Sequence, residues 1–261
     1  MQKNSFDTYA ARYDEHFTFS PIGKMQRKRV HRFLGNYINR SYKVLEVNCG
    51  TGEDARWLNG CVRKVVATDV SEGMITVCHT KNIQDVQFEV CDSRKIAGRF
   101  ERGYFDMIFS NFGGLNCLSP AEIKEFSAGA ATCLSPGGLM IAVIMGRKCS
   151  WERFYFKRKK DPRFRRRESR EGVETIIDTQ KFHTWYYSPL EFAALFSDTF
   201  QLIDYRPVGL FVPPSYLDKY FRNKGFLLYA LFLLDKLFPF SFLSDKADHY
   251  LIVLKKKAAT S

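Results

Sequence analysis

The sequence of 261 residues has no CxxC pair. Its seven cysteines are never closer than 12 positions, so neither a zinc-ribbon site nor a paired disulfide framework is indicated, and a reduced, cytoplasmic setting is expected. Long apolar runs are also missing. The longest, Phe226 to Leu234, is about half the roughly 20 residues a bilayer-spanning helix needs, and Asp235, Lys236 and Pro239 follow it. The N-terminal stretch MQKNSFDTYAARYDEHF has no apolar core behind its first lysine and does not read as a signal peptide. Acidic residues are few beside basic ones, 28 against 40, which leaves a formal charge of +12 and admits an acidic partner. No internal repeat and no low-complexity linker interrupts the chain.

Apolar and aromatic residues are abundant. Hydrophobic residues make up 45% of the chain, enough for a substantial core and against intrinsic disorder. The 24 phenylalanines suggest an apolar ligand or an interfacial surface as readily as a large core. Between Lys43 and Met145, short apolar runs alternate with helical patterns, the signature of βαβ units feeding a parallel sheet. Strands are expected at Val44–Val47, Lys64–Thr68, Val86–Val90, Phe105–Ser110 and Leu139–Met145. Helices are expected at Glu53–Asn59, after Ser71, and after Ser119, where Ser-Pro-Ala-Glu forms a capping box with proline at the first helical position. The same device at Ser188-Pro189-Leu190-Glu191 predicts a helix over about 189–198, then a strand over about 200–206; a last strand falls at His249–Leu254.

Two stretches break the rhythm, so the chain reads as one domain (1–261) with a lead-in (1–42), a core (43–145) and two insertions forming a cap. The first insertion, 146–187, is basic: from Arg147 to Arg170 there are twelve basic and three acidic side chains, a net of +9. The second, 207–248, is hydrophobic, with Pro213-Pro214 at its head and SYLDKYFRNKGFLLYALFLLDKLFPFSFL behind it.

The informative segment is KVLEVNCGTGEDA, Lys43 to Ala55: a strand, a glycine-bearing turn and a helix start. Gly50 and Gly52 let a ligand approach the backbone where a side chain would block it. The segment could be an ordinary turn, or a dinucleotide site, since Gly50-x-Gly52-x-x-Ala55 fits GxGxxG/A and Asp69 lies about 20 residues on. Charge argues against a pyrophosphate. Phosphate binding wants a helix N-terminus free of carboxylates, and Glu53 and Asp54 occupy that turn. Glu46, inside a strand that should be buried, asks for a cationic or hydrogen-bonding partner. A ligand with an ammonium and a sulfonium but no phosphate suits such a pocket.

At these residues the sequence resembles the class I S-adenosylmethionine-dependent methyltransferases, in their small-molecule branch. VLEVNCGTG is similar to the family's first motif, which would put Glu46, Asn48, Gly50 and Gly52 around the methionine part of S-adenosyl-L-methionine, with Asn48 where the first glycine is usual. VVATDVSEGMI resembles the second-strand motif, implying that Asp69 holds the ribose hydroxyls while Val70 and Met74 line the adenine. FEVCDS implies that Asp92 and Ser93 reach the adenine edge. FDMIFSNFGGLNCL implies that Ser110, Asn111 and Phe112 border the methyl-transfer site. FDTYAARYDEHF resembles the lead-in helix that folds over the cofactor, so Tyr9 and Tyr13 could close the sulfonium pocket; Arg27 or Arg29 could pair with the cofactor carboxylate or lie on a solvated face. The resemblance implies a Rossmann-like, mostly parallel seven-stranded sheet flanked by helices; it covers about 43–145, extends to 188–206 and 248–256, and leaves the insertions outside.

Methyl transfer from a sulfonium is an in-line displacement, so the enzyme chiefly aligns the reactants and keeps water out. A general base is needed only where the acceptor carries a proton; of the five histidines, His183 in FHTWYYSP and His16 in the lead-in are the candidates. An apolar wall beside a basic rim favours an amphiphilic, aromatic or lipid-like small-molecule acceptor, with O-methylation ahead of N- or C-methylation and with possible peripheral membrane contact. Two alternatives remain: an RNA methyltransferase whose basic stretch tracks phosphates, and a non-catalytic membrane-surface binding protein on the same scaffold. Against RNA, Ser110-Asn111-Phe112-Gly113 lacks the Asn/Asp-Pro-Pro-Tyr/Phe motif of amino-methylating nucleic-acid enzymes, and no RNA-binding module is visible. No metal is expected.

Overall fold

A computed structural model describes Asp7, residues 10–177 and residues 180–258, without the side chains of His16, Ile177 and Gln180. The lead-in consists of α1 (Ala10–Tyr13), one π-helical turn over Asp14–Thr18 and α2 (Pro21–Leu34). Ser20 caps α2 by accepting the Gly23 N–H at 3.0 Å, with Pro21 at the first helical position.

Strand and helix then alternate: β1 (Lys43–Val47), α3 (Glu53–Asn59), β2 (Lys64–Asp69), α4 (Glu72–Thr80), β3 (Val86–Val90), α5 (Ile96–Arg99), β4 (Phe105–Ser110), α6 (Pro120–Cys133) and β5 (Leu134–Met145). The capping box at Ser119 closes in both directions, with the Ser119 N–H donating to Glu122 at 2.9 Å. The basic insertion folds as α7 (Ser150–Arg158), a 3-10 segment (Pro162–Glu168) and a hairpin of β6 (Val173–Ile177) and β7 (Gln180–Thr184). After α8 (Pro189–Ala194) and β8 (Phe200–Val208), the hydrophobic insertion contributes α9 (Gly225–Leu237) between two 3-10 turns, and β9 (His249–Lys256) completes the chain's elements.

Seven strands form one sheet in the order β3-β2-β1-β4-β5-β9-β8. β1 to β5 are parallel, and β9 runs antiparallel between β5 and β8. A parallel sheet must be covered on both faces. Leu45, Val47 and Ile108 pack with Ile123, Phe126 and Phe196 on one side, while Val44, Val65 and Met107 pack with Val30, Ala55 and Leu58 on the other. This two-residue alternation puts Glu46 on the Val44 face, toward α3.

Some expected boundaries shift. β5 begins at Leu134 rather than Leu139, because Leu134 pairs with Phe105 before a register shift; α8 stops at Ala194, and β8 extends two residues into the second insertion. α9 packs Leu228 and Phe232 against Ile22 of α2 and Val212, tying that insertion to the lead-in. All seven cysteines are free thiols.

Candidate functional site

The C-terminal ends of β1, β2 and β4 open onto a cleft of about 130 Å³ lined by Tyr13, Asn48, Gly50, Asp69, Val70, Met74, Asn111, Phe112, Gly113, Gly114 and Cys117. Its floor is backbone in unusual conformations. Asn48 (φ 56°), Gly50 (52°), Gly52 (79°), Phe112 (43°) and Gly113 (77°) all lie in the left-handed region, where glycine is at ease, asparagine is tolerated and phenylalanine is strained. The side chain of Asn48 is accommodated by Gly114, where an added Cβ would come within 2.4 Å of the Asn48 Cβ. The chain thus has a glycine opposite the position at which the first motif lacks one.

Asp69 secures the turn. Its carboxylate accepts the N–H groups of Gly50 and Ser71, each at 2.9 Å, and burial pushes its pKa up despite those bonds. The lead-in is fastened over the cleft at two points. Asp7 accepts from the Ser71 hydroxyl at 2.6 Å and from the Gly73 N–H at 3.1 Å. Asp14 pairs with Lys81 and accepts from Thr51, both at 2.5 Å; although burial opposes its charge, these bonds hold its pKa below the usual value. Tyr13, next to Asp14, is thereby set against Gly50.

Beside the cleft, Arg27, Glu46, Glu53, Asp54 and Asn111 line a narrow extension. Asp54 is ion-paired with Arg27 at 3.3 Å, bonded to His31 at 2.7 Å and accepts from Asn111 at 2.9 Å. Burial raises its pKa, but Arg27 and His31 outweigh that and the net shift is downward. Glu46 gets only partial relief, from Arg27. It is buried, one of its oxygens has no hydrogen-bond partner, and burial, then Asp54, push its pKa well up. Among the described residues this buried carboxylate oxygen is unpartnered, and such a group favours a cationic or hydrogen-bonding ligand atom beside it.

A second cavity, of about 460 Å³, adjoins the first through Tyr13, Phe112, Gly113 and Cys117, which line both. Its remaining walls are largely aromatic: Phe17, Phe182, Tyr186 and Tyr216, with Met145 and Pro214. Its polar end is built from buried ion pairs. Arg167 donates to Glu152 at 2.9 Å and to Asp248 at 2.8 Å, and Arg166 donates to Glu152 at 2.7 Å. Asp248 also accepts from Gln26 at 3.1 Å and lies 3.2 Å from His249 Nδ1. Burial opposes its charge, but His249 and Arg167 prevail and hold its pKa well below the carboxylate range.

Of the residues singled out in the sequence, Tyr13, Asn48, Gly50, Asp69, Val70, Met74, Asn111 and Phe112 line the first cleft, and Glu46 its extension. Gly52 lies behind it, where a Cβ would meet Phe88 and Cys78 at 3.0 and 3.1 Å. Ser110 is buried, its hydroxyl 3.5 Å from Asn48. Asp92 and Ser93 are not among the lining residues. The Asp92 carboxylate instead caps the next turn and pairs with Arg94. Neither Arg27 nor Arg29 lies on a solvated face: Arg27 reaches the cleft extension, and Arg29 is buried over Phe33, its pKa lowered to about 10 by burial. His183 is exposed on β7, while its neighbours Phe182 and Thr184 face the second cavity, as strand alternation requires. Tyr9 and the His16 side chain lie outside the described residues. Sequence reasoning missed His249, Asp248 and Cys117; the only local signal was an Asp-His pair opening an apolar strand.

Comparison with known proteins agrees with this geometry. Residues 44–138 match the family model described as a methyltransferase domain. The chain is 28% identical over 158 residues to malonyl-[acyl-carrier protein] O-methyltransferase of Bacillus anthracis, covering 57% of this chain and 53% of that protein. It is 27% identical over 137 residues to demethylmenaquinone methyltransferase of Clavibacter sepedonicus, covering 52% and 54%. The chain thus spans about half the length of the curated relatives it matches. Among solved structures, a methyltransferase of Methanosarcina mazei superposes with a TM-score of 0.60 at 16% identity, over 87% of this chain and 97% of that one, a likeness of fold.

Proposed function

The chain carries a class I S-adenosylmethionine-dependent methyltransferase domain, and from that premise we propose that it methylates an amphiphilic or aromatic small molecule, on oxygen. The observation that carries this reading is the wall of Tyr13, Phe112, Gly113 and Cys117 common to the two cavities: a cofactor on one side meets an acceptor on the other. When bound, S-adenosyl-L-methionine supplies an electrophilic methyl group on a positively charged sulfur. In this reading Glu46 takes the ammonium, Asp69 the ribose hydroxyls, and Val70 and Met74 the adenine, while Asn48, Gly50 and Asn111 shape the approach and the Tyr13 ring faces the sulfonium. The protein then aligns the reactants, worth about 7 to 11 kcal/mol in well-oriented reactions.

The ion pairs of the basic insertion weigh against RNA. Arg147, Arg166 and Arg167 are paired with carboxylates and largely withdrawn from solvent, so that part of the local charge is spent within the protein rather than offered to phosphates, while Arg153, Arg163 and Arg165 make their pairs at the surface. Calorimetric titration with S-adenosylmethionine, S-adenosylhomocysteine and NAD tests the reading. Micromolar binding of both adenosyl ligands without NAD is expected; NAD binding alone would overturn it.

Among the described residues no helix is long and apolar enough to cross a membrane. We propose peripheral contact instead. Phe226, Leu227, Leu237, Phe238, Phe240 and Phe242 are exposed on and just beyond α9, with exposed Lys219 and Lys224 just before the helix, a composition suited to an anionic lipid surface. Flotation with phosphatidylserine vesicles is expected, and Phe226→Ser with Phe242→Ser is expected to abolish it; flotation unchanged by that pair would remove the surface from the reading.

A further inference from the structure

The second cavity contains a group that the reading above leaves idle. His249 opens β9 and lines that cavity, buried, with its ring edge-on to Phe112 at 5.6 Å, and Phe112 belongs to the wall shared with the cofactor cleft. Nδ1 is buried 3.2 Å from Asp248, a charge-pair contact outside hydrogen-bond geometry. Nε2 makes no hydrogen bond among the described residues. Asp248 cannot swing away, because Arg167 holds one of its oxygens at 2.8 Å and Gln26 the other at 3.1 Å. A histidine with one nitrogen beside a fixed carboxylate and the other open to a cavity can act as a general base once a substrate proton is within reach.

We propose that His249 is the general base of this enzyme and that its acceptor is an aryl hydroxyl. The walls specify the class. Phe17, Phe112, Phe182, Tyr186 and Tyr216 surround a volume suited to one or two fused rings, and Arg166 and Arg167 beside them are already engaged by Glu152 and Asp248. A phenol, with a pKa of about 10, is acidic enough to pass its proton to an imidazole as it reacts; an alkyl alcohol is far weaker. The balance is complete. The acceptor oxygen forms a bond to the methyl carbon as the carbon–sulfur bond breaks, the electron pair stays on sulfur, and the hydroxyl proton passes to Nε2 and then to solvent. Asp248 is a positioning residue: its fixed negative charge beside Nδ1 stabilises the imidazolium as it forms.

This rests on the adjoining cleft being the cofactor site, so the experiment separates the two. S-adenosylhomocysteine affinity is measured first; its absence in the wild type would sink the cofactor reading. Methyl transfer to 4-methoxyphenol, 4-chlorophenol and 4-nitrophenol is then compared between wild type and His249→Gln. For the least acidic phenol the variant is expected to lose about 10² to 10⁴-fold, and for 4-nitrophenol, which ionises unaided, less than about tenfold, with S-adenosylhomocysteine affinity unchanged. Independently of turnover, 4-nitrophenol bound without cofactor is expected to gain its phenolate absorption band at a lower pH in wild type than in His249→Gln. A wild type that binds S-adenosylhomocysteine but neither binds nor methylates any of the phenols overturns the acceptor class. A loss equal across the three phenols, or a phenolate band that appears at the same pH in the variant as in wild type, overturns the base.

Discussion

The two cavities meet at one wall but are built by different means. Around the first cleft the positioning is done by main chain: left-handed turns at Asn48, Gly50 and Phe112, and backbone N–H groups held by Asp69. Around the second cavity it is done by side-chain charge, a chain running from Arg166 through Glu152, Arg167 and Asp248 to His249. A left-handed turn fails when a side chain it cannot hold is added, whereas a buried ion-pair chain fails when one charge is deleted.

Substitutions should separate the two. Gly50→Val is expected to have the largest effect, abolishing calorimetric binding of S-adenosylhomocysteine, because it puts a β-branched residue at φ 52° on the floor of the cleft. Next is Arg167→Ala, which leaves Glu152 and Asp248 buried without their shared cation; a loss of about 3 to 5 kcal/mol in urea unfolding is expected. The neighbouring exposed Arg165→Ala is the control, within about 0.5 kcal/mol. Neutralising Arg165, Arg166 and Arg167 together would thus report stability more than acceptor recognition.

Asp235 of α9 gives a pH test on the cap side. Burial, against the N–H groups of Phe211 and Val212 that it accepts, raises its pKa to about 6. A raised carboxyl stabilises the fold when protonated. Its contribution is complete below the unfolded value and is lost as pH rises through about 6, a fall of roughly 3 kcal/mol that Asp235→Asn should remove from the stability profile. Smallest is Glu46→Gln. Affinity for S-adenosylhomocysteine should fall by about 1.5 to 3 kcal/mol, as for a hydrogen bond to a charged group, while the ligand-free protein is not destabilised, since a buried unpaired carboxylate is removed. Unchanged affinity would detach Glu46 from the ligand.

The same contrast decides what could be read in the sequence. A turn that needs left-handed residues writes itself into a few adjacent positions, so Gly50, Gly52 and Asp69 were open to local spacing and Asn48 to the family resemblance, as were the seven strands of the sheet to apolar periodicity. The ion-pair chain has no local spelling. Asp248 meets Arg167 across 81 residues and Gln26 across 222, and nothing near His249 announces either partner. His183 drew attention because its neighbours are aromatic, but a side-chain period of two turns Phe182 and Thr184 inward and the histidine outward. Asp92 fits the third-strand pattern in spacing, yet Arg94, two residues on, occupies its carboxylate.

The contact between Gln26 and Asp248 has a consequence in time as well as in energy. Closing a span of 222 residues carries an entropic cost that local turns do not. The glycine turn can form as soon as β1 and β2 pair, while the acceptor end waits for lead-in, cap and last strand to converge. Contacts made that late weigh little on the rate of folding and much on the rate of unfolding. The lifetime of the second cavity's polar end is therefore expected to follow how slowly Asp248 lets go of its distant partners.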